Sequence, residues 1–175
     1  MTRDASPLPL SRPVNVERLP QGRGSFTVEA TPQECAALAE DFGIVAVRDL
    51  VGRFEIGGST SLLRVTGTVE AVVTQTCGVS LEPFEAAVSE PVEVTFSDEV
   101  TPEEADALDE NGMPDLDTPD ALVNGRIDLG ALTAEFLALG LDPYPRKPGV
   151  AFEEVAAGDD EKPLAGLRKL RPGGE

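Results

Sequence analysis

Between Leu62 and Phe96 the chain alternates apolar and polar residues in two long runs. In the first, Leu63, Val65, Val69, Ala71 and Val73 take odd positions, with Arg64, Thr66, Thr68, Glu70 and Thr74 between them. In the second, Phe84, Ala86, Val88, Val92, Val94 and Phe96 take even positions. A period of two sustained this long is the mark of half-buried strands. The runs are separated by Cys77-Gly78-Val79-Ser80-Leu81-Glu82-Pro83, whose Gly and Pro punctuate a loop. The pattern therefore predicts an antiparallel hairpin that supplies most of the apolar surface. Glu90-Pro91 interrupts the return run, and proline has no ladder donor. That point should be an edge or a bulge.

The flanking segments add strands and helices. Val14 to Leu19 alternates weakly, Pro20 to Gly24 reads as a turn, and Ser25 to Ala30 alternates again with Phe26 and Val28 inward. This predicts a second hairpin, following a flexible arm over residues 1–12. Thr31-Pro32-Gln33-Glu34 carries the cap, the first-turn proline and the acidic residue of a helix start. The helix should run to about Asp41, with Cys35, Leu38, Ala39 and Phe42 on one face and Gly43 as its stop. Cys35 reads as a small buried residue rather than a reactive thiol. Ile44 to Ile56 reads as a strand whose alternation changes phase near Arg48-Asp49, which a bulge or a division into two shorter strands would explain. Gly57-Gly58-Ser59 should then turn into the central hairpin.

Further on, Asp128 caps a predicted helix through about Leu139, with a stripe of Leu129, Leu132, Phe136 and Leu139, Glu135 beside it and Gly140 as the stop. The following Asp142-Pro143-Tyr144-Pro145-Arg146-Lys147-Pro148 is extended, polyproline-like backbone. The fold class predicted is α+β: a curved antiparallel sheet of about five or six strands around the central hairpin, packed against helices at 32–41 and 129–139. The domain spans 13–149, and residues 150–175 form a tail.

Charge changes the picture. Lys and Arg number 14 against 32 Asp and Glu, a net charge of −18. Residues 98–120 hold ten acidic residues and no basic one. Thr101-Pro102-Glu103-Glu104 there starts a short helix to about Leu108, and the remainder reads as a solvated, mobile loop. The Asp-x-Asp-x-Asp-Gly spacing of a calcium loop is missing. Positive charge gathers at Arg146-Lys147 and in the tail at Lys162, Arg168, Lys169 and Arg171, where Leu164, Leu167 and Leu170 recur every third residue. Such a tail can become a short helix on a partner.

Catalytic chemistry finds little material. The chain has no histidine and two cysteines, with no Cys-x-x-Cys pair and no glycine loop of phosphate-binding form. Cys77 lacks a partner base and reads as structural. No cofactor or metal is expected. No run approaches the roughly 20 apolar residues of a membrane span. The first ten residues lack a signal-peptide core, which places the protein in the cytoplasm, where reduced cysteines are the rule.

Cys77-Gly78-Val79-Ser80-Leu81-Glu82-Pro83-Phe84 resembles the Cys-x-x-Cys-Leu-x-Pro segment of the YceD family, the large ribosomal RNA subunit accumulation proteins. Ile127 to Leu139 resembles that family's acidic-Leu helix with an internal Glu, here Asp128, Leu129 and Glu135. The exit Asp142-Pro143-Tyr144-Pro145-Arg146 looks like the alphaproteobacterial version. The order of the two motifs and the acidic loop between them also agree, over roughly residues 13–149. Ser80 stands where many members carry the second cysteine, so a tetrahedral zinc site within one chain is not expected. The resemblance implies a role in synthesis, processing or accumulation of large-subunit ribosomal RNA. It marks Cys77, Leu81, Glu82, Pro83, Asp128, Leu129, Glu135, Pro143, Tyr144, Pro145 and Arg146 as interaction candidates. The charge then favours a non-enzymatic factor that holds a basic ribosomal protein or assembly factor. The alternative is direct binding of ribosomal RNA through Arg146, Lys147, Arg168, Lys169 and Arg171. A nuclease using carboxylate-bound magnesium is a third reading, with no marked ligand spacing.

Overall fold

The computed structural model describes residues 9–105, 107, 113 and 118–150. The basic tail, including Arg168, Lys169 and Arg171, lies outside the described residues, as does most of 106–117.

The two alternating runs form the predicted hairpin. Strands β4 (Leu62–Thr76) and β5 (Pro83–Ser97) pair without a register break from Leu63–Phe96 to Thr76–Pro83. Their inward phase is buried at Leu63, Val65, Val69, Ala71, Val73, Val88, Val92 and Phe96. Pro91 sits opposite Thr68 with no bulge. Its missing donor is tolerated because β5 there has no second neighbour among the described residues, the edge solution.

On the other side of β4 lies β3 (Ala46–Ser59), and beyond it β2 (Arg23–Glu29), both antiparallel. The register shifts between Arg48 and Val51, with Asp49 at φ 54°. This bulge moves burial from Val47 to Leu50, Phe54 and Ile56, accounting for the change of phase. The glycines at 57 and 58 remain inside β3, and the chain turns at Thr60-Ser61 instead. A fifth strand, β6 (Asp120–Ala121), pairs parallel to the end of β5. The sheet order is β2-β3-β4-β5-β6, open rather than closed into a barrel. The sheet is thus mixed at one edge.

Helix α1 (Pro32–Asp41) starts at the predicted capping box, with Thr31 and Glu34 each accepting from the other's backbone N–H. It buries Cys35, Leu38 and Ala39. A second box at Thr101 and Glu104 opens the single turn α2 (Pro102–Ala105). Helix α3 (Leu129–Leu139) starts at Asp128 as predicted, but its buried face differs. Leu129, Leu132, Thr133 and Leu137 are buried, whereas Leu139 is 68% exposed. The helix is apolar at nearly every position, so its periodicity cannot choose a face. Thr133 is accommodated in the core because its hydroxyl donates to the Leu129 carbonyl.

The expected N-terminal hairpin does not form. Strand β1 (Pro13–Asn15) pairs with β7 (Arg126–Asp128) as a separate ribbon, and 3₁₀ turns at Val16–Arg18 and Pro20–Gly22 lead into β2. Residues 10–12, assigned by sequence to a flexible arm, are held: Leu10 is fully buried, and Arg12 bonds to Glu34 and Asp128. The core therefore lies between one sheet face and a layer made by α1, α3 and the N-terminal segment.

Candidate functional site

The two stretches singled out by sequence meet at one end of the sheet. At the end of β4, Cys77 opens the loop to β5, its N–H donating to the Glu82 carbonyl and its own carbonyl accepting from Leu81. The chain leaving α3 comes back across this loop. Gly78 N–H donates to the Pro145 carbonyl at 2.9 Å, and the Gln75 side-chain amide donates to the Asp142 carbonyl at 3.0 Å. Asp142 folds the exit by accepting from Tyr144 N–H.

The centre of the junction is the Cys77 sulfur. It accepts backbone N–H groups from Val79 and Ser80, each at 3.4 Å, and from Lys147 at 3.3 Å. The side chain has no solvent-accessible surface, yet it lies outside the apolar core cluster under a thin cover of loop. Desolvation is consequently modest, and the donors win. Hydrogen bonds from the Ser80 hydroxyl and backbone, then from Lys147, draw the thiol down to about 6. The Cys77 sulfur thereby joins loop and exit through the N–H groups it accepts, and those donors favour its thiolate form. Ser80, at the position of the second motif cysteine, contributes a donor to that sulfur.

Lys147 also reaches outward. Its ammonium lies 2.8 Å from the Glu82 carboxylate, which lowers Glu82 and raises Lys147 through the shared hydrogen bond and charge. This pair takes up much of the lysine's charge. Arg146 beside it makes no ion pair among the described residues. Leu81 is 75% exposed and Tyr144 80% exposed. Leu81 is also held at φ 59°, a left-handed conformation that costs energy for a branched side chain.

The other motif residues play different parts. Pro83 begins β5, and Pro143 and Pro145 shape the exit. Leu129 is fully buried and serves the core. Asp128 caps α3 and binds Ser11 and Arg12. Glu135 stands apart from the Cys77 junction, beside a groove of about 280 Å³ lined by Pro9, Leu10, Leu38 and Phe42. Burial, then the charge of Asp120, raises its carboxyl. Among the described residues no three of His, Cys, Asp and Glu gather where they would hold a metal ion, and no helix is long and apolar enough to cross a membrane.

Sequence reading missed one side chain of the junction. Gln75 continues the inward phase of β4 and is buried, so a polar residue on an apolar face was the available signal. Pro145 was marked by its motif, but the acceptor role of its carbonyl was not, because backbone partners are set by tertiary approach.

The thiol should be visible in pH-dependent stability. Its folded value, about 6, lies below its ordinary 9.0, so it adds stability fully present above 9 and lost as pH falls through 6. Cys35 shifts the opposite way, raised by burial, and its effect falls above that window. Denaturant unfolding of the wild type should gain stability between pH 6 and pH 9 relative to Cys77→Ala. Parallel profiles for the two proteins would refute an anionic Cys77.

Comparison with known proteins agrees with the motif pair. The family profile described as Large ribosomal RNA subunit accumulation protein YceD matches residues 65–170, well over half of the chain. The match starts inside β4 and covers the Cys77 loop, α3, the exit and most of the tail. Neither a curated protein nor a solved structure matches the chain. With both motifs inside the matched residues, the chain belongs to the YceD family, the large ribosomal RNA subunit accumulation proteins.

Proposed function

We propose that the chain serves large-subunit ribosomal RNA accumulation in the cytoplasm as a non-enzymatic factor. It does so by holding a basic ribosomal protein or assembly factor at the junction of the Cys77 loop and the exit. The observation that carries this reading is the presentation of Leu81, Tyr144 and Arg146 on a corner fixed from beneath by Cys77. Exposed aromatic, aliphatic and arginine side chains on a rigid support are what protein interfaces use as anchors. A leucine kept in a strained backbone conformation with its side chain in water fits a contact residue better than a folding residue.

Electrostatics supports a protein partner over bare RNA. The net charge is −18, and Lys147 is already paired with Glu82. Extensive RNA binding needs a basic footprint. At physiological salt the Debye length is about 8 Å, so Arg146 and the basic tail still act locally. A local RNA contact beside the protein contact is compatible with that range.

The experiment is a titration of the full chain against basic ribosomal proteins and against ribosomal RNA fragments over a salt series. The protein partner should bind more tightly. Leu81→Ala and Tyr144→Ala should each weaken it about tenfold or more, the usual effect of losing an interface anchor. Neutralising Asp115, Asp117 and Asp120 should weaken it further and leave RNA binding unchanged or improved. Reversing Arg168, Lys169 and Arg171 should act mainly on RNA. Tight binding to bare RNA with a steep salt slope, and none to basic proteins, would replace this reading with direct RNA binding.

A further inference from the structure

Strand β2 is the outer edge of the five-stranded sheet, and among the described residues no strand pairs with its far side. Ala30 N–H donates to the Leu50 carbonyl, which fixes the parity of the β2–β3 ladder. Gly24, Phe26 and Val28 turn their backbone groups toward β3. Arg23, Ser25, Thr27 and Glu29 turn theirs away from the sheet, and all four are exposed. The opposite edge is guarded, because β5 carries Pro83 and Pro91. Nothing comparable blocks β2, which has no proline, lysine or bulge.

The edge is complementary to itself. Read as Arg23-Gly24-Ser25-Phe26-Thr27-Val28-Glu29, it places a cation at one end and an anion at the other, symmetric about Phe26. Elsewhere on the sheet the arginines are matched across strands: Arg48 with Glu85, Arg53 with Glu70 and Arg64 with Glu93. Neither Arg23 nor Glu29 has an ion-pair partner among the described residues.

We propose that β2 is a homodimer interface, in which two copies pair β2 with β2 antiparallel about a twofold axis at Phe26. That register sets Arg23 of one copy against Glu29 of the other, twice, and Ser25 against Thr27. It also makes the hydrogen-bonded pairs fall on the four residues whose backbone groups face outward. A register one residue away would lose both features. The interface is isologous and closes after two copies, so it ends the edge without propagating a fibre.

Charge reversal separates this pairing from any other association. Sedimentation velocity on the full chain over a concentration series should show a reversible dimer. Arg23→Glu brings two like-charged pairs together, and so does Glu29→Arg. Each variant alone should dimerise at least about tenfold more weakly, since opposed like charges destabilise strand pairs. An equimolar mixture of the two variants should recover the dimer as a heterodimer. One copy then carries acid at both positions and the other carries base at both, so opposite charges meet at each end of the ladder. Thr27→Pro removes an outward donor without touching the β3 ladder and should also give monomer. A wild type that is monomeric throughout, a dimer indifferent to both reversals, or a mixture that stays monomeric would each overturn the proposal.

Discussion

Gly67→Ala should lower stability by about 3 kcal/mol, and the melting temperature by about 10 °C, although it adds a single methyl group. Gly67 lies in the middle of β4, flanked by Phe54 on β3 and Val92 on β5. A Cβ built there would stand 1.9 Å from the Arg53 carbonyl oxygen and 3.1 Å from the Phe54 Cα. Both obstacles are backbone, so no rotamer relieves them. The two central strands would have to separate at the point where Phe54, the largest fully buried side chain, is seated. Strand glycine at a close backbone approach is the situation in which glycine cannot be exchanged cheaply. Thr68→Ala, one residue along on the exposed side of the sheet, should change stability by no more than about 0.5 kcal/mol. Equilibrium unfolding of the two variants decides the matter. An alanine at 67 that unfolds with the wild type would mean that β3 and β4 are further apart than described.

The same glycine illustrates what the sequence discloses. Around it, the alternation from Leu63 to Val73 and from Phe84 to Phe96 determined strand identity, facing and pairing, because burial on one side of a pleat forces a period of two. Local chemistry was equally plain where it is local: both Thr-Pro-x-Glu boxes cap helices, and the shift of phase after Val47 is the bulge at Asp49. Contacts without a local signature were not readable. Strands β1 and β7 have three residues each and come from opposite ends of the described chain. Three residues are too few to establish a period, so Val14 to Leu19 read as the first arm of a hairpin. The buried face of α3 was hidden for the opposite reason, since a helix apolar nearly all round offers no polar side to point outward.

At the candidate site the division is similar. Residue types marked Cys77, Glu82, Tyr144 and Arg146, and spacing marked the loop and the exit as separate motifs. Their meeting depends on backbone hydrogen bonds to a sulfur and to carbonyl oxygens, which any residue type but proline can donate. Glu135 shows the converse. It lies in the motif helix, yet it borders the groove between α1 and α3 and takes no part in the Cys77 junction.

Asp128→Ala should cost about 3 kcal/mol, the sum of a lost helix cap and of N–H groups left without an acceptor. Asp128 does more than start α3. One carboxylate oxygen accepts N–H groups from Gly130, Ala131 and Arg12, and the other accepts the Ser11 hydroxyl. Through Arg12 the network continues to Glu34, held by two guanidinium bonds at 2.8 and 3.0 Å, and Glu34 closes the cap of α1. The starts of both helices and the N-terminal segment are thus tied by one polar chain. Burial opposes ionisation of Asp128, but the donors from Ser11, Arg12, Ala131 and Gly130 outweigh it and hold its carboxyl below the usual range. Glu34 is lowered too, to about 2, chiefly by Arg12. Both groups therefore contribute stability that is present above their unfolded values and lost as pH falls through the folded ones, which for Glu34 means between about 4.5 and 2. Asp128→Asn keeps an acceptor and should lose about 1 kcal/mol, the share of a charge-assisted over a neutral hydrogen bond. Asp128→Ala should show the full loss at neutral pH and a shallower fall in acid than the wild type. Acid titration of unfolding free energy for the three proteins tests this. Equal stability of the alanine variant at pH 7, or an acid limb as steep as the wild type's, would show that the chain from α3 to α1 is not held through Asp128.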